Sequence, residues 1–178
     1  AHHLATLLLP RTLSACGFQA YGWSNGMNLG ARSDLYERLE ARLDEVLREA
    51  GGPVAHDGWS LGGLYARELA KRRPSDVSVV VTLGTPFSVD LRANNAWKLY
   101  EAINDHPVDN PPVPVNPGEK PPVRTVAIWS AKDGIVTPES ARGGDTEADE
   151  RLEVGCGHNE LVSNARAVTL VRISRLRF

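Results

Sequence analysis

Two nearby stretches decide the fold: Val54-Ala55-His56-Asp57-Gly58-Trp59-Ser60-Leu61-Gly62 and Val77-Ser78-Val79-Val80-Val81-Thr82-Leu83. The second is β-branched and almost wholly apolar, the pattern of a parallel strand buried on both faces. Residues 54–58 read as a shorter strand, and 61–72 as the helix between the two, ended before Pro74. Working upstream, residues 33–50 predict a helix. Leu35, Leu39, Leu43, Val46 and Leu47 form one stripe, Ser33 is a candidate N-cap, and Gly51-Gly52-Pro53 stops the run. Residues 19–23 read as a further strand, closed by the glycine-rich turn Ser24-Asn25-Gly26-Met27-Asn28-Leu29-Gly30. Downstream, 123–130 and 152–155 read as strands and 164–178 as a closing helix with Ala167, Val168, Val171 and Leu176 on its buried side. Strands and helices in this alternation predict an α/β fold, a mostly parallel sheet flanked by helices and joined by right-handed crossovers.

Composition narrows the function classes. The 178 residues suit a single domain spanning 1–178, and 42% apolar with 24% charged residues excludes disorder, fibrous repeats and coiled coils. Apolar runs such as Leu7-Leu8-Leu9 are far too short for a membrane span. Twenty Lys and Arg against 22 Asp and Glu, with no basic run, argue against a nucleic-acid partner. Cys16 and Cys156 are too few for a disulfide scaffold or a four-cysteine zinc site, and whether they pair stays open. No signal peptide is visible and no initiator Met opens the chain, so the compartment stays open with the cytoplasm favoured. A homo-oligomer is equally open. Between Gly84 and Val123 the rhythm breaks into a proline-rich segment. A long insertion of this kind inside a domain reads as a lid or binding element, placed at about 90–122.

Gly58-Trp59-Ser60-Leu61-Gly62 is a G-x-S-x-G sequence between a strand and a helix, and that context gives it chemical meaning. A sharp turn there holds the serine above the sheet edge, with glycines either side letting neighbouring backbone approach. The following helix points its N-terminus at the serine, so the Leu61 amide can donate to a developing oxyanion. A lone serine needs a base, and the base an orienting acid. Downstream histidines are His106, in the proline-rich insertion, and His158, in the glycine-flanked loop Gly155-Cys156-Gly157-His158-Asn159; His158 is the better placed. For the acid, Asp133 follows the strand 123–130, where sites in open α/β sheets collect. Lys132-Asp133-Gly134 would equally make an ordinary turn. Asp145 and Asp149 lie in a charged run that reads as a solvated loop. No step of this chemistry calls for a metal or organic cofactor.

These pieces resemble a known family. Residues 58–70, then Val81-Thr82-Leu83-Gly84-Thr85-Pro86-Phe87, then Asp133-Gly134-Ile135-Val136, then Gly157-His158 look like bacterial α/β-hydrolases of the lipase and esterase type. The resemblance implies Ser60 as nucleophile, His158 as base, Asp133 as acid and the Leu61 amide as one oxyanion donor, acting on a small-molecule acyl ester. It further implies a cap at about 90–122, with Trp59, Trp97 and Tyr100 in substrate contact, although each cap aromatic could instead simply pack the cap onto the sheet. The same triad would serve a thioesterase or acyltransferase, and the fold could also persist as a non-catalytic binding protein.

Two features depart from the family pattern. His56-Asp57 place polar groups in a strand that is usually apolar, so Asp57 needs a partner, with the arginines of the final helix as candidates. And only 18 residues precede the strand at 19–23. Residues 4–15 read better as a helix than as a vestigial strand, despite Pro10. The resemblance then implies an upstream strand and oxyanion loop that the working enzyme would need.

Overall fold

Residues 2–22, 34–88 and 116–176 are described by a computed structural model. In chain order the elements are α1 (His2–Ala15), α2 (Leu35–Ala50), β1 (Val54–Trp59), α3 (Leu61–Arg72), β2 (Val77–Leu83), β3 (Arg124–Ser130), α4 (Pro138–Arg142), β4 (Glu150–Val154) and α5 (Ala165–Leu176). The strands form one parallel sheet in the order β1-β2-β3-β4. Each strand therefore lies beside its predecessor, as the alternating sequence pattern predicts.

Period-two alternation sends the β-branched run of β2 to both faces. Val79, Val81 and Leu83 join Val126, Ile128 and Val154 against Leu9 and Leu13 of α1 and Ala167, Val168 and Val171 of α5. Val80 faces the other way, with Ala70 of α3. On that side the stripe of α2 (Leu35, Leu39, Leu43) packs on Tyr65 and Leu69. Gly51 ends α2 in the left-handed conformation, its N–H returning to the Leu47 carbonyl. A glycine meets that geometry without a Cβ penalty. The helix begins at Leu35 behind Asp34; the proposed cap Ser33 and the turn 24–30 lie outside the described residues.

The structure corrects the expectation for 19–23. Its described part, 19–22, is not a strand and has no place in the ladder of β1, whose pairing is with β2. An apolar, extended-looking pentapeptide becomes a strand only when a neighbour takes up its backbone groups. Here Ala20 packs beneath the sheet with Phe18 instead. Pro10 does sit inside α1. It forgoes one backbone hydrogen bond, and burial of Leu9 and Leu13 against α5 offsets that loss. The charged run after α4 is less solvated than its composition suggests. Asp145 is exposed, but Glu147 accepts from the Ser88 hydroxyl at 2.6 Å and Asp149 accepts from the Thr125 amide at 2.8 Å.

Two arginines inside the fold show how buried charge is accommodated. Arg175 of α5, one of the candidate partners, pairs with Asp57, and its guanidinium also lies over the Phe18 ring. Burial pushes the Arg175 guanidinium down to about 10. Fully buried Arg67 on α3 donates to the carbonyls of Pro117, Glu119 and Glu147 and stacks over Phe87, 4.1 Å from the ring centroid. It thereby ties together the chain on both sides of residues 89–115. Among the described residues, no helix is long and apolar enough to cross a membrane.

Candidate active site

The elbow forms where the sequence places it. β1 ends at Trp59, α3 starts at Leu61, and between them Ser60 has φ +53° and ψ −128°. Among the described residues it is the one non-glycine with positive φ. Such a conformation costs on the order of 1–3 kcal/mol and persists only where the surroundings enforce it. The Ser60 amide donates to the Leu83 carbonyl at 2.9 Å, tying the elbow to the end of β2. A Cβ on Gly58 would stand 2.3 Å from the Gly63 Cα, and one on Gly63 would stand 2.0 Å from Thr85 Oγ1. The crowded pair is thus Gly58 and Gly63. Apart from its chain neighbours and the backbone of α3 itself, no described atom lies within 4 Å of a Cβ on Gly62, the second glycine of the motif.

Asp133 follows β3 and His158 follows β4, so neighbouring strand ends bring them together. His158 Nδ1–H donates to Asp133 Oδ2 at 2.7 Å, with both side chains almost completely buried. The other carboxylate oxygen, Oδ1, accepts from the amides of Ile135 at 3.0 Å and Val136 at 2.7 Å. The two oxygens of Asp133 thus divide between partners: Oδ1 makes the turn and Oδ2 holds the imidazole. Three hydrogen bonds compensate a buried carboxylate that would otherwise be costly. The backbone repeats the link, His158 N–H donating to the Asp133 carbonyl at 3.2 Å. Glu160 accepts from the Gly157 amide at 2.7 Å and closes the one-turn 3-10 helix on which His158 sits. Because a carboxylate only accepts, Nδ1 carries the proton, and in the neutral imidazole the lone pair is then on Nε2.

Gly84, at the end of β2, was not singled out by the sequence. A Cβ there would stand 2.6 Å from Leu161 Cδ1, 2.9 Å from Asp133 Oδ2 and 3.1 Å from His158 Nδ1, and its φ is +54°. The His158–Asp133 pair rests on this bare backbone. The one available signal was a glycine directly after a buried strand. Trp59, expected in substrate contact, directs its indole at the same loop. Nε1–H donates to the His158 carbonyl at 3.0 Å, and the two rings lie 5.3 Å apart at 38°. The Leu61 amide stands in the first turn of α3, where no helical carbonyl reaches it. Trp97, Tyr100, His106 and most of the cap at 90–122 lie outside the described residues. Among the described residues, no group of three or more His, Cys, Asp or Glu side chains is arranged to hold a metal.

A parallel sheet with a strained serine after one strand and an acid and a histidine after the two farthest from it is the architecture of the α/β hydrolases, and the chain has that fold. No family model matches the sequence. Two pimeloyl-[acyl-carrier protein] methyl ester esterases are similar over short stretches. The one from Aromatoleum aromaticum is 43% identical over 58 residues, covering 33% of this chain and 23% of that protein. The one from Klebsiella pneumoniae is 39% identical over 74 residues, covering 42% and 26%. The matched stretches thus span about a quarter of those relatives. Among solved structures, polyneuridine aldehyde esterase superposes with a TM-score of 0.63 at 16% identity, over 96% of this chain and 94% of that one.

Proposed function

We propose that this chain carries the catalytic centre of a serine esterase that cleaves carboxylic esters through an acyl-serine intermediate. The observation that carries the reading is the buried His158–Asp133 pair, which follows strand ends on the same edge of the parallel sheet as a serine held at positive φ at a helix N-terminus. In this reading Ser60 Oγ bonds to the acyl carbon while its proton passes to His158 Nε2. The carbonyl oxygen gathers negative charge, and the Leu61 amide donates to it. Collapse of that intermediate expels the alcohol, which takes the proton from Nε2. Water, deprotonated by the same nitrogen, then cleaves the acyl-serine. Asp133 stays ionised throughout and holds the imidazole with its lone pair directed away from the carboxylate. The methyl ester esterases to which the chain is similar favour a small alcohol as the leaving group. Trp97 and Tyr100 are proposed to contact the acyl chain from the cap.

A fluorophosphonate probe tests this directly, since only an activated serine reacts with it. The expected result is one label, on Ser60 by peptide mapping, absent from Ser60→Ala and strongly reduced in His158→Ala. An unlabelled native protein, or a label that survives Ser60→Ala, would overturn the reading.

A further inference from the structure

We infer that Trp59 is a positioning residue for His158: its indole N–H anchors the histidine's own carbonyl, and its ring forms a wall for the imidazole. The inference rests on the proposed role of His158 as base and assigns Trp59 a function other than substrate contact. Two separate contacts support it. The first is the hydrogen bond from Nε1 to the His158 carbonyl at 3.0 Å, linking residues 99 apart in sequence. That carbonyl also accepts the Leu161 amide at 3.3 Å, so the indole fastens the turn at its first residue. The second is the ring contact at 5.3 Å and 38°. Trp59 in turn packs against the core between the sheet and α5, which keeps its own orientation fixed.

Period-two geometry explains why this residue can do both tasks. Ala55, Asp57 and Trp59 share the α5 side of β1, so the residue before Ser60 necessarily faces the loop after β4. The motif's variable position becomes a support for the base. Electrostatics gives the contact a preference between protonation states. A cation within about 6 Å of an indole face is attracted to it, whereas a neutral imidazole gains only packing. When His158 takes the serine proton, the ring beside it favours the charged form. Other groups bear on the same imidazole. Asp133 holds Nδ1, Glu160 is bound to the Gly157 amide, and the Cys156 thiol is buried in the same loop. Asp57, on the same face of β1 as Trp59, is paired with Arg175. Trp59 is therefore the contact that can be altered while the charges around His158 stay in place.

The test uses Trp59→Leu and Trp59→Phe in the full chain, with the His158 imidazole titration followed by NMR and assigned by its disappearance in His158→Gln. Trp59→Leu is expected to lower the titration midpoint by about half a pH unit. Trp59→Phe keeps a ring but loses the donor, so the midpoint should hold within about 0.2 unit while amide exchange at His158 and Leu161 speeds up at least about threefold. With a p-nitrophenyl ester, both variants should lose kcat at unchanged KM. An unshifted midpoint in Trp59→Leu together with unchanged exchange in Trp59→Phe would overturn the inference. So would a raised KM at unchanged kcat, the sign of a substrate contact. Should Trp59→Leu not fold, the Phe variant decides alone through exchange and the KM–kcat split. If the native protein hydrolyses nothing and resists the fluorophosphonate, the esterase reading fails, while the NMR and exchange results still judge Trp59.

Discussion

β1 and β2 lie side by side in register, Trp59 opposite Leu83, yet they solve different problems. β2 is sealed on both faces by Val79, Val80, Val81 and Leu83, each with no exposed surface, and needs only packing. β1 carries His56 to one face and Asp57 to the other, and each needs its own arrangement. Asp57 pairs with Arg175, while His56 is held uncharged, burial pushing it down to about 4 against the opposing pull of the Ala66 carbonyl. The two strand ends differ as well. β1 ends in a side chain, Ser60, and β2 ends in the absence of one, Gly84. A strand that leads into such an elbow can be polar if neighbouring helices supply its partners, whereas its apolar neighbour contributes rigidity and room.

Substitutions at these positions break the comparison in graded steps. Ser60→Ala should cost up to about 10⁶-fold in kcat on a p-nitrophenyl ester with folding unchanged by circular dichroism. Retained turnover would remove β1 from the chemistry. Gly84→Ala should lower kcat about 10–100-fold, because a Cβ would push into the His158–Asp133 pair, and it should also cost roughly 1–3 kcal/mol in urea melts for the positive φ. Wild-type activity in Gly84→Ala would mean that the end of β2 does not support the site.

The next two steps concern stability. Asp57→Ala leaves Arg175 buried and unpaired and should cost about 3–5 kcal/mol, whereas Asp57→Leu combined with Arg175→Met should recover most of it. If the double variant is as unstable as the single one, the pair contributes more than charge compensation. The last step concerns His56 and shows only on acidification. Its folded pKa lies below that of the unfolded chain, about 6.5, so on acidification the unfolded state takes up the proton first. Stability is therefore full above about pH 6.5 and declines as pH falls toward 4, by about 3 kcal/mol in total. His56→Gln should flatten that part of the pH–stability curve; an unchanged slope would assign it to other groups.

What the sequence made legible follows the same division. The apolar run of β2, the stripe of α2 and the elbow are local patterns, and local patterns can be read from one chain. The position of Asp133 was legible because a turn directly after a strand calls for an aspartate at that spot, and the proposed acid would sit there too. Trp59 and Gly84 were not legible in their actual surroundings. Their significance lies in contacts with a loop more than seventy residues away, and nothing in spacing or composition reports such a contact. Residues 19–23 fail for a related reason: strand formation depends on a neighbour, and a pentapeptide carries no information about whether one is there.

The buried guanidinium of Arg67 bears on how this domain can be altered. It holds Pro117 and Glu119 by their backbone carbonyls and Phe87 by its ring face, so the chain enters and leaves residues 89–115 through points bolted to α3. Backbone carbonyls are offered by every residue, so the clasp places no demand on side-chain identity at 117 or 119. For anyone grafting other residues in place of 89–115, Ser88 and Asn116 are the natural splice points. Arg67 and Phe87 are the two side chains that such a graft has to leave alone.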